Sequence, residues 1–241
     1  MILIDIGNTR LKWAEQQTGQ LGEMHAVVHS ETNFQVQLTA AWQQLTKPES
    51  IYLACVSSAR IKLQVIQIAE QLWPDVKVQE IHTEKYVLGV SNAYPKYEKL
   101  GVDRWLSILA AYHFYSAPVC VIACGTALTL DIVNQQGQHM GGMIMPGLSL
   151  MKQALSKGTA NLNFCSEQYP QGLANDTEAA IYNGNINAIK GFIMQGLAEY
   201  QKPVQLIMTG GDAQLLIQTL KLEAINDAQL VLKGLALVAS E

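Results

Sequence analysis

The sequence predicts an α/β protein made of two repeated halves, 1–100 and 101–241, and three observations predict it. Each half opens with a meander of short apolar strands, each meander gives way to alternating helices and strands, and the copies keep a constant spacing. Gly7 and Gly125 define a shift of 125 − 7, or 118 residues, which also carries Gln17 to Gln135, Gly19 to Gly137 and Gln20 to Gln138. Matched glutamines are expected by chance in a Gln-rich chain. The glycines at matched strand ends carry the repeat.

In the first half, residues 1–6 form an apolar run that reads as a buried strand, and 10–15 and 22–29 continue as strands around the turn Gln16 to Gln20. Asn33 to Leu45 sets Phe34, Leu38, Ala41, Trp42 and Leu45 at helical spacing. IYLACV (51–56) is a strand, Ile61 to Trp73 a helix stopped by Pro74, and VKVQEI (76–81) a further strand. A polar, turn-rich stretch from Ser91 to Lys99 leads into an amphipathic helix over 102–115. The order then restarts. Strands are expected at 118–124, 127–133 and 140–145, helices at 147–156 and 176–200, a strand at 203–209, and helices at 211–221 and 227–239.

A 49% apolar, 15% charged composition fits a folded globular protein rather than a disordered one. With a formal charge of -4 there is no basic excess for a nucleic-acid backbone, so an anionic partner must be small and locally held. Neither a signal-peptide pattern nor an apolar run of about 20 residues occurs, which points to the cytoplasm. Cys55, Cys120, Cys124 and Cys165 form no CxxC pair and read as reduced, mostly buried thiols. His25 and His29 flank strand-like sequence, where residues four apart do not share a helical face, and so are not expected to bind metal.

The chemistry is concentrated at strand ends. In Asp5-Ile6-Gly7-Asn8-Thr9 and Ala123-Cys124-Gly125-Thr126-Ala127, a glycine after an apolar strand permits close backbone approach to an anion, with amide and hydroxyl donors beside it. Two such turns on facing edges of a cleft would grip a polyphosphate from both sides. Asp5 would supply a hard oxygen ligand for Mg²⁺, and Lys12 would neutralise a phosphate oxygen. Ordinary hairpins and a solvated lysine are the plain alternative. LIMTGGDA (206–213) places Gly210-Gly211 between a strand and a helix, suited to a nucleotide or to a tight connection alike. GGMIMPG (141–147) reads equally as a strand end or a neighbour of the nucleotide. In YPKYEKLGVDRW (94–105), Asp103 is a helix-capping acid or a base for a substrate hydroxyl, and Arg104 a surface ion pair or a carboxylate clamp.

Taken in order, DIGNTRLKW, LGVDRW, CGTALTLD, GGMIMPG and TGGDA resemble the motifs of the type III pantothenate kinases, of the acetate kinase, sugar kinase, Hsp70 and actin superfamily. The resemblance spans essentially the whole chain. It implies two duplicated ribonuclease-H-like domains, the actin-like ATPase fold, around a central cleft, and ATP-dependent phosphorylation of pantothenate to 4'-phosphopantothenate, the entry to coenzyme A synthesis. It further implies Asp103 as proton acceptor, with Tyr94, Gly101, Val102 and Arg104 holding pantothenate and Thr177 reaching substrate across a homodimer. ATP would be held by Asp5, Ile6, Gly7, Asn8, Thr9, Arg10, Leu11, Lys12, Trp13, Gly125, Thr126, Gly210 and Gly211, with Asp5 organising Mg²⁺. Where the family's second phosphate motif begins with an aspartate that binds K⁺ or NH₄⁺, this chain has Ala123, whose methyl cannot ligate a cation. That departure motivates a second reading, a nonenzymatic ATP- or pantothenate-responsive binding protein, and the shared ATP turns leave a third, another small-molecule kinase of the superfamily acting on a sugar or short acid.

Overall fold

The computed structural model describes residues 1–158 and 168–241, so Cys165 lies outside the described residues. Contacts group the chain into two units, Met1–Phe114 with Gln229–Glu241, and Tyr115–Ala228.

Unit 1 holds β1 (Ile2–Ile6), β2 (Arg10–Gln17), β3 (Gln20–Leu21), β4 (His25–Val28), α1 (Phe34–Trp42), β5 (Ser50–Cys55), α2 (Ala59–Leu72), β6 (Lys77–Glu80), β7 (Tyr86–Val87), β8 (Val90–Ser91) and α3 (Val102–Phe114), completed by α7 (Leu230–Ala239). Its sheet runs β3-β2-β1-β5-β6, with β4 also on β2; β1 is antiparallel to β2 and parallel to β5. Thr18 and Gly19, both at positive φ (49° and 78°), make the two-residue turn whose twist matches its flanking strands. Apolar residues of β1, β2 and β5 meet α1 and α2 around Trp42, which stacks on Trp73 at 5.7 Å and takes Trp13 edge-on at 6.3 Å.

Unit 2 holds β9 (Val119–Cys124), β10 (Ala127–Val133), β11 (His139–Pro146), α4 (Leu148–Gly158), α5 (Thr177–Tyr200), β12 (Gln205–Thr209), α6 (Ala213–Leu220) and β13 (Ala224–Asn226). The sheet order β11-β10-β9-β12-β13 repeats that of unit 1, with the same antiparallel first hairpin and the same parallel β9-β12-β13 run. Its core joins Cys120 and Ile122 of β9, alternate leucines of β10, and Tyr182, Ile186, Ile189 and Ile193 of α5. At Gly196 a Cβ would lie 2.6 Å from a Leu130 methyl, so the absent side chain lets α5 approach the sheet.

The duplicated topology agrees with the sequence, while four details differ. First, the constant shift breaks inside the hairpin: Ile6 pairs with Leu11 but Cys124 with Leu128, so the second turn is one residue shorter. The register shifts between Asp131 and Val133 in the pairing of β10 with β11. Second, the boundary falls after Phe114 rather than at 100/101, because α3 packs on α7 so closely that a Cβ on Gly234 would strike the Leu106 backbone. Third, the expected strand over 22–29 is confined to β4, residues 22–24 lying outside any strand, while β3 occupies the end of the expected turn and the next residue, and the Gly22 N–H donates to Glu15 O. Fourth, the hairpin β7-β8 and the three-residue β13 are additional, and the closing helix starts at Leu230 rather than 227.

Candidate functional site

The first glycine turn leaves the C-terminal end of β1, where Gly7 N–H donates to Arg10 O at 3.0 Å and closes the loop. Asn8, Thr9 and Arg10 are exposed, while Ile6, Leu11 and Trp13 are core residues with relative exposures of 0%, 0% and 3%. Within the run 5–13 expected to hold a nucleotide, the side chains open to a ligand are those of Asn8, Thr9 and Arg10, with Lys12 partly exposed. Asp5 is paired in register with Lys12 and is 6% exposed. Burial pushes its carboxyl up to about 7; Lys12 opposes that rise and the nearby Asp103 adds to it.

Such a buried carboxylate is the kind of group a cation relieves. Among the described residues no three His, Cys, Asp or Glu side chains cluster as a metal cage. This donor set fits Mg²⁺, which binds through one or two carboxylates and keeps waters and substrate phosphates as its other ligands. An unfolded Asp titrates near 3.8, so between that pH and about 7 the native protein retains a proton the unfolded chain has released, and stability falls as pH rises through the window. Asp5→Asn accordingly raises the Tm of the ligand-free protein at pH 8 by more than at pH 4; equal shifts at the two pH values would contradict the assignment.

Asp103 and Arg104 open α3. From Val102 to Ala111 every residue is buried except Asp103, which keeps partial exposure. Its Oδ1 accepts from the Arg104 N–H at 2.8 Å, folding the carboxylate back over the helix start, and a Cβ on Gly101 would lie 2.7 Å from that oxygen. The capping geometry and the presentation of the acid are thus one arrangement. Arg104 is no surface ion pair: it is 7% exposed, donates from Nη1 to Tyr94 Oη at 3.1 Å and lies 5.8 Å from the Tyr94 ring centroid. Structure brings Tyr94, Gly101, Asp103 and Arg104 together, beside Asp5.

In unit 2, the second turn is held by Gly125 N–H donating to Ala127 O at 3.1 Å and by Gly147 N–H donating to Thr126 O at 2.8 Å. A Cβ on Gly147 would collide with Gly125 O, and one on Gly210 with the Cys124 backbone. Gly210 also sits at φ +98°, and the Asp212 N–H donates to Cys124 O at 3.2 Å. Gly125, Thr126, Gly147 and Gly210-Gly211 therefore converge on one strand-end corner. Gly147, which the sequence left undecided, belongs to it; its place directly after Pro146 at a strand end was the available signal.

Thr177 begins α5 after the cap Asp176, whose carboxylate accepts from Ala179 N at 2.9 Å. It lines an open depression of about 580 Å³ with Asn175, Asp176 and Asn185. Ala123 pairs with Thr129, not with a charged residue, and Asp131 on the same strand binds His139 Nε2 at 2.9 Å. Cys120 and Cys124 are buried free thiols, each pushed up to about 12 by burial, while Cys55 is half-buried. Histidine positions also resolve: His25 stacks on Trp13 at 5.4 Å, and His29 holds the first turn.

Comparison with known proteins places this architecture. A protein from Campylobacter jejuni described as a Baf family transcriptional activator superposes with a TM-score of 0.63 at 23% identity, over 100% of this chain and 98% of that one. The activator of the 2-hydroxyisocaproyl-CoA dehydratase from Clostridium difficile, solved with bound ADPNP, gives a TM-score of 0.56 at 11% identity, over 99% and 93%. The fold is that of the actin-like ATPases and sugar kinases. A curated type III pantothenate kinase from Nitrosococcus oceani is 33% identical over 251 residues, spanning 100% of this chain and 94% of the relative. With residues 1–199 also matching the family profile described as type III pantothenate kinase, the chain belongs to the type III pantothenate kinase family.

Proposed function

We propose that the protein transfers the γ-phosphoryl group of ATP to the primary hydroxyl of pantothenate, giving 4'-phosphopantothenate and ADP at the entry to coenzyme A synthesis. Membership of the family supports the reaction. The observation that carries the site is the presentation of Asp103 at the head of a buried helix, with Arg104 and Tyr94 joined beside it.

In this reading Asp103 takes the proton of the attacking hydroxyl, whose oxygen forms the new bond to γ-phosphorus as the bond to the ADP oxygen breaks. Arg104, with Tyr94, Gly101 and Val102, holds pantothenate by its carboxylate, which suits a buried guanidinium better than water-exposed pairing. The turn at Gly7 to Thr9 and the corner of Gly125-Thr126 with Gly210-Gly211 each offer backbone donors suited to nucleotide phosphates, and Lys12 offsets phosphate charge. Asp5 would hold Mg²⁺, through water, and the metal supplies neutralisation of the phosphate oxygens. Protein chemistry here is positioning and electrostatics. A cytoplasmic homodimer, with Thr177 reaching substrate in the partner subunit, completes the proposal. Among the described residues, no helix is long and apolar enough to cross a membrane.

Purified protein with Mg-ATP and pantothenate tests the reading: phosphopantothenate and ADP are expected in equal amounts. ATP binding without product under any cation condition would favour the sensor; product only from a sugar or short acid would favour another kinase. Ala123 supplies no carboxylate and Asp131 is engaged by His139, so the residues at this point do not fit a carboxylate-bound monovalent cation. Turnover is therefore expected to change by less than about twofold when K⁺ or NH₄⁺ replaces Na⁺; strict K⁺ dependence would show a site built from other oxygens.

A further inference from the structure

His29 stands at the first glycine turn although 22 residues separate it from Gly7. Antiparallel pairing of β4 with β2, from Arg10 with Val28 to Trp13 with His25, delivers it opposite Thr9. There its backbone N–H donates to Thr9 O at 3.2 Å. Its ring lies 2.8 Å from Gly7 O through Nε2; a carbonyl only accepts, so Nε2 carries the proton in this bond. Buried Phe34, edge-on at 6.2 Å and 77°, fixes the plane of the ring.

The second unit shows what this contact adds. After β11, Gly147 occupies the position that His29 takes after β4, and its backbone N–H likewise donates to the turn carbonyl of Thr126. Yet there the carbonyl of Gly125, the counterpart of Gly7, packs so closely against Gly147 that no side chain fits. One turn is thus held by backbone packing and the other by an imidazole N–H. The only cis peptide is Ala117-Pro118 among the described residues, so the Gly7-Asn8 peptide is trans, and its C=O and N–H point in opposite directions. Fixing Gly7 O toward His29 turns the Asn8 N–H to the other side of the loop.

We propose that His29 is a positioning residue that orders the first turn for anion binding, holding the Gly7 carbonyl so that the Asn8 N–H faces the phosphate. This rests on the reading that the turn takes the phosphates of ATP. His29 touches neither substrate; it acts through Gly7.

Three variants test it. His29→Ala removes ring and donor, His29→Phe keeps an aromatic ring against Phe34 without the donor, and His29→Gln restores an amide N–H on a side chain of similar reach. The expected result is a five- to tenfold loss (about one hydrogen bond) of MgATP affinity by calorimetry for the Ala and Phe variants, with Gln recovering most of it. The KM for pantothenate stays within about twofold of the native protein in all three. MgATP affinity unchanged in His29→Ala, a Gln variant as weak as the Phe variant, or a pantothenate KM rising in step would overturn the proposal. The native protein is titrated in parallel. Its failure to bind MgATP would remove the kinase reading together with this one, whereas native binding with indifferent variants overturns the role of His29 alone.

Discussion

Asp103→Asn lowers kcat by about a thousandfold while leaving MgATP affinity within about threefold of the native protein. The asymmetry follows from where the carboxylate sits. Asn is nearly isosteric and keeps an oxygen that can accept the Arg104 N–H, so the start of α3 and the packing of Arg104 on Tyr94 persist. What is lost is an acceptor basic enough to take a hydroxyl proton as the phosphoryl group is transferred. Removal of one carboxylate from beside Asp5 also relieves part of the push on that group, since Asp103 is among the causes that raise it. Nucleotide binding therefore has no reason to weaken. A variant retaining a tenth or more of native kcat, by steady-state assay of ADP release, would remove Asp103 from the chemistry.

Gly147→Ala is expected to weaken MgATP binding by at least about tenfold and to lower Tm, as overpacking against rigid backbone costs about 1–3 kcal/mol. The added methyl meets Gly125 O and the Thr126 carbonyl, both parts of a turn already tied by the Gly147 N–H. No flexible side chain is there to give way, so the turn itself must move. Gly191→Ala on α5 is the matched control, because a Cβ at that position meets nothing within 4 Å. Nucleotide affinity that is unchanged in Gly147→Ala and in the control alike would detach the second turn from the nucleotide.

Much of this architecture was legible because its signals are local. Apolar runs ending in glycine announced β1 and β9, and Gly19 and Gly137, both at positive φ, marked matching hairpin ends. Features set by distant packing were not legible. Nothing in the amphipathic pattern of 102–115 says that α3 will lie on a helix more than a hundred residues later, so the boundary at 100/101 missed the pairing with α7. The shortened second turn was hidden because a constant shift of glycines at both ends concealed the change of pairing between them.

The site divides along the same line. Asp103, Arg104 and the glycine turns stood out as unusual residue types at strand and helix ends, where chemistry is commonly exposed. Their geometry did not: the sequence left Arg104 open between a surface ion pair and a carboxylate clamp, and its burial with the Tyr94 contact removes the surface alternative. Ile6, Leu11 and Trp13 entered the nucleotide set through the resemblance of the whole DIGNTRLKW segment, and the structure buries all three in the core of their unit. His29 was weighed only against His25 as a metal pair, since its partner Gly7 lies across two strand connections.

A crystal structure of the protein with a nonhydrolysable ATP analogue, Mg²⁺ and pantothenate tests the account most directly. It predicts triphosphate oxygens against the backbone of Gly7 to Thr9, and the pantothenate primary hydroxyl about 3 Å from an Asp103 oxygen. A triphosphate seated away from that turn, or a hydroxyl turned from Asp103 toward another base, would contradict it.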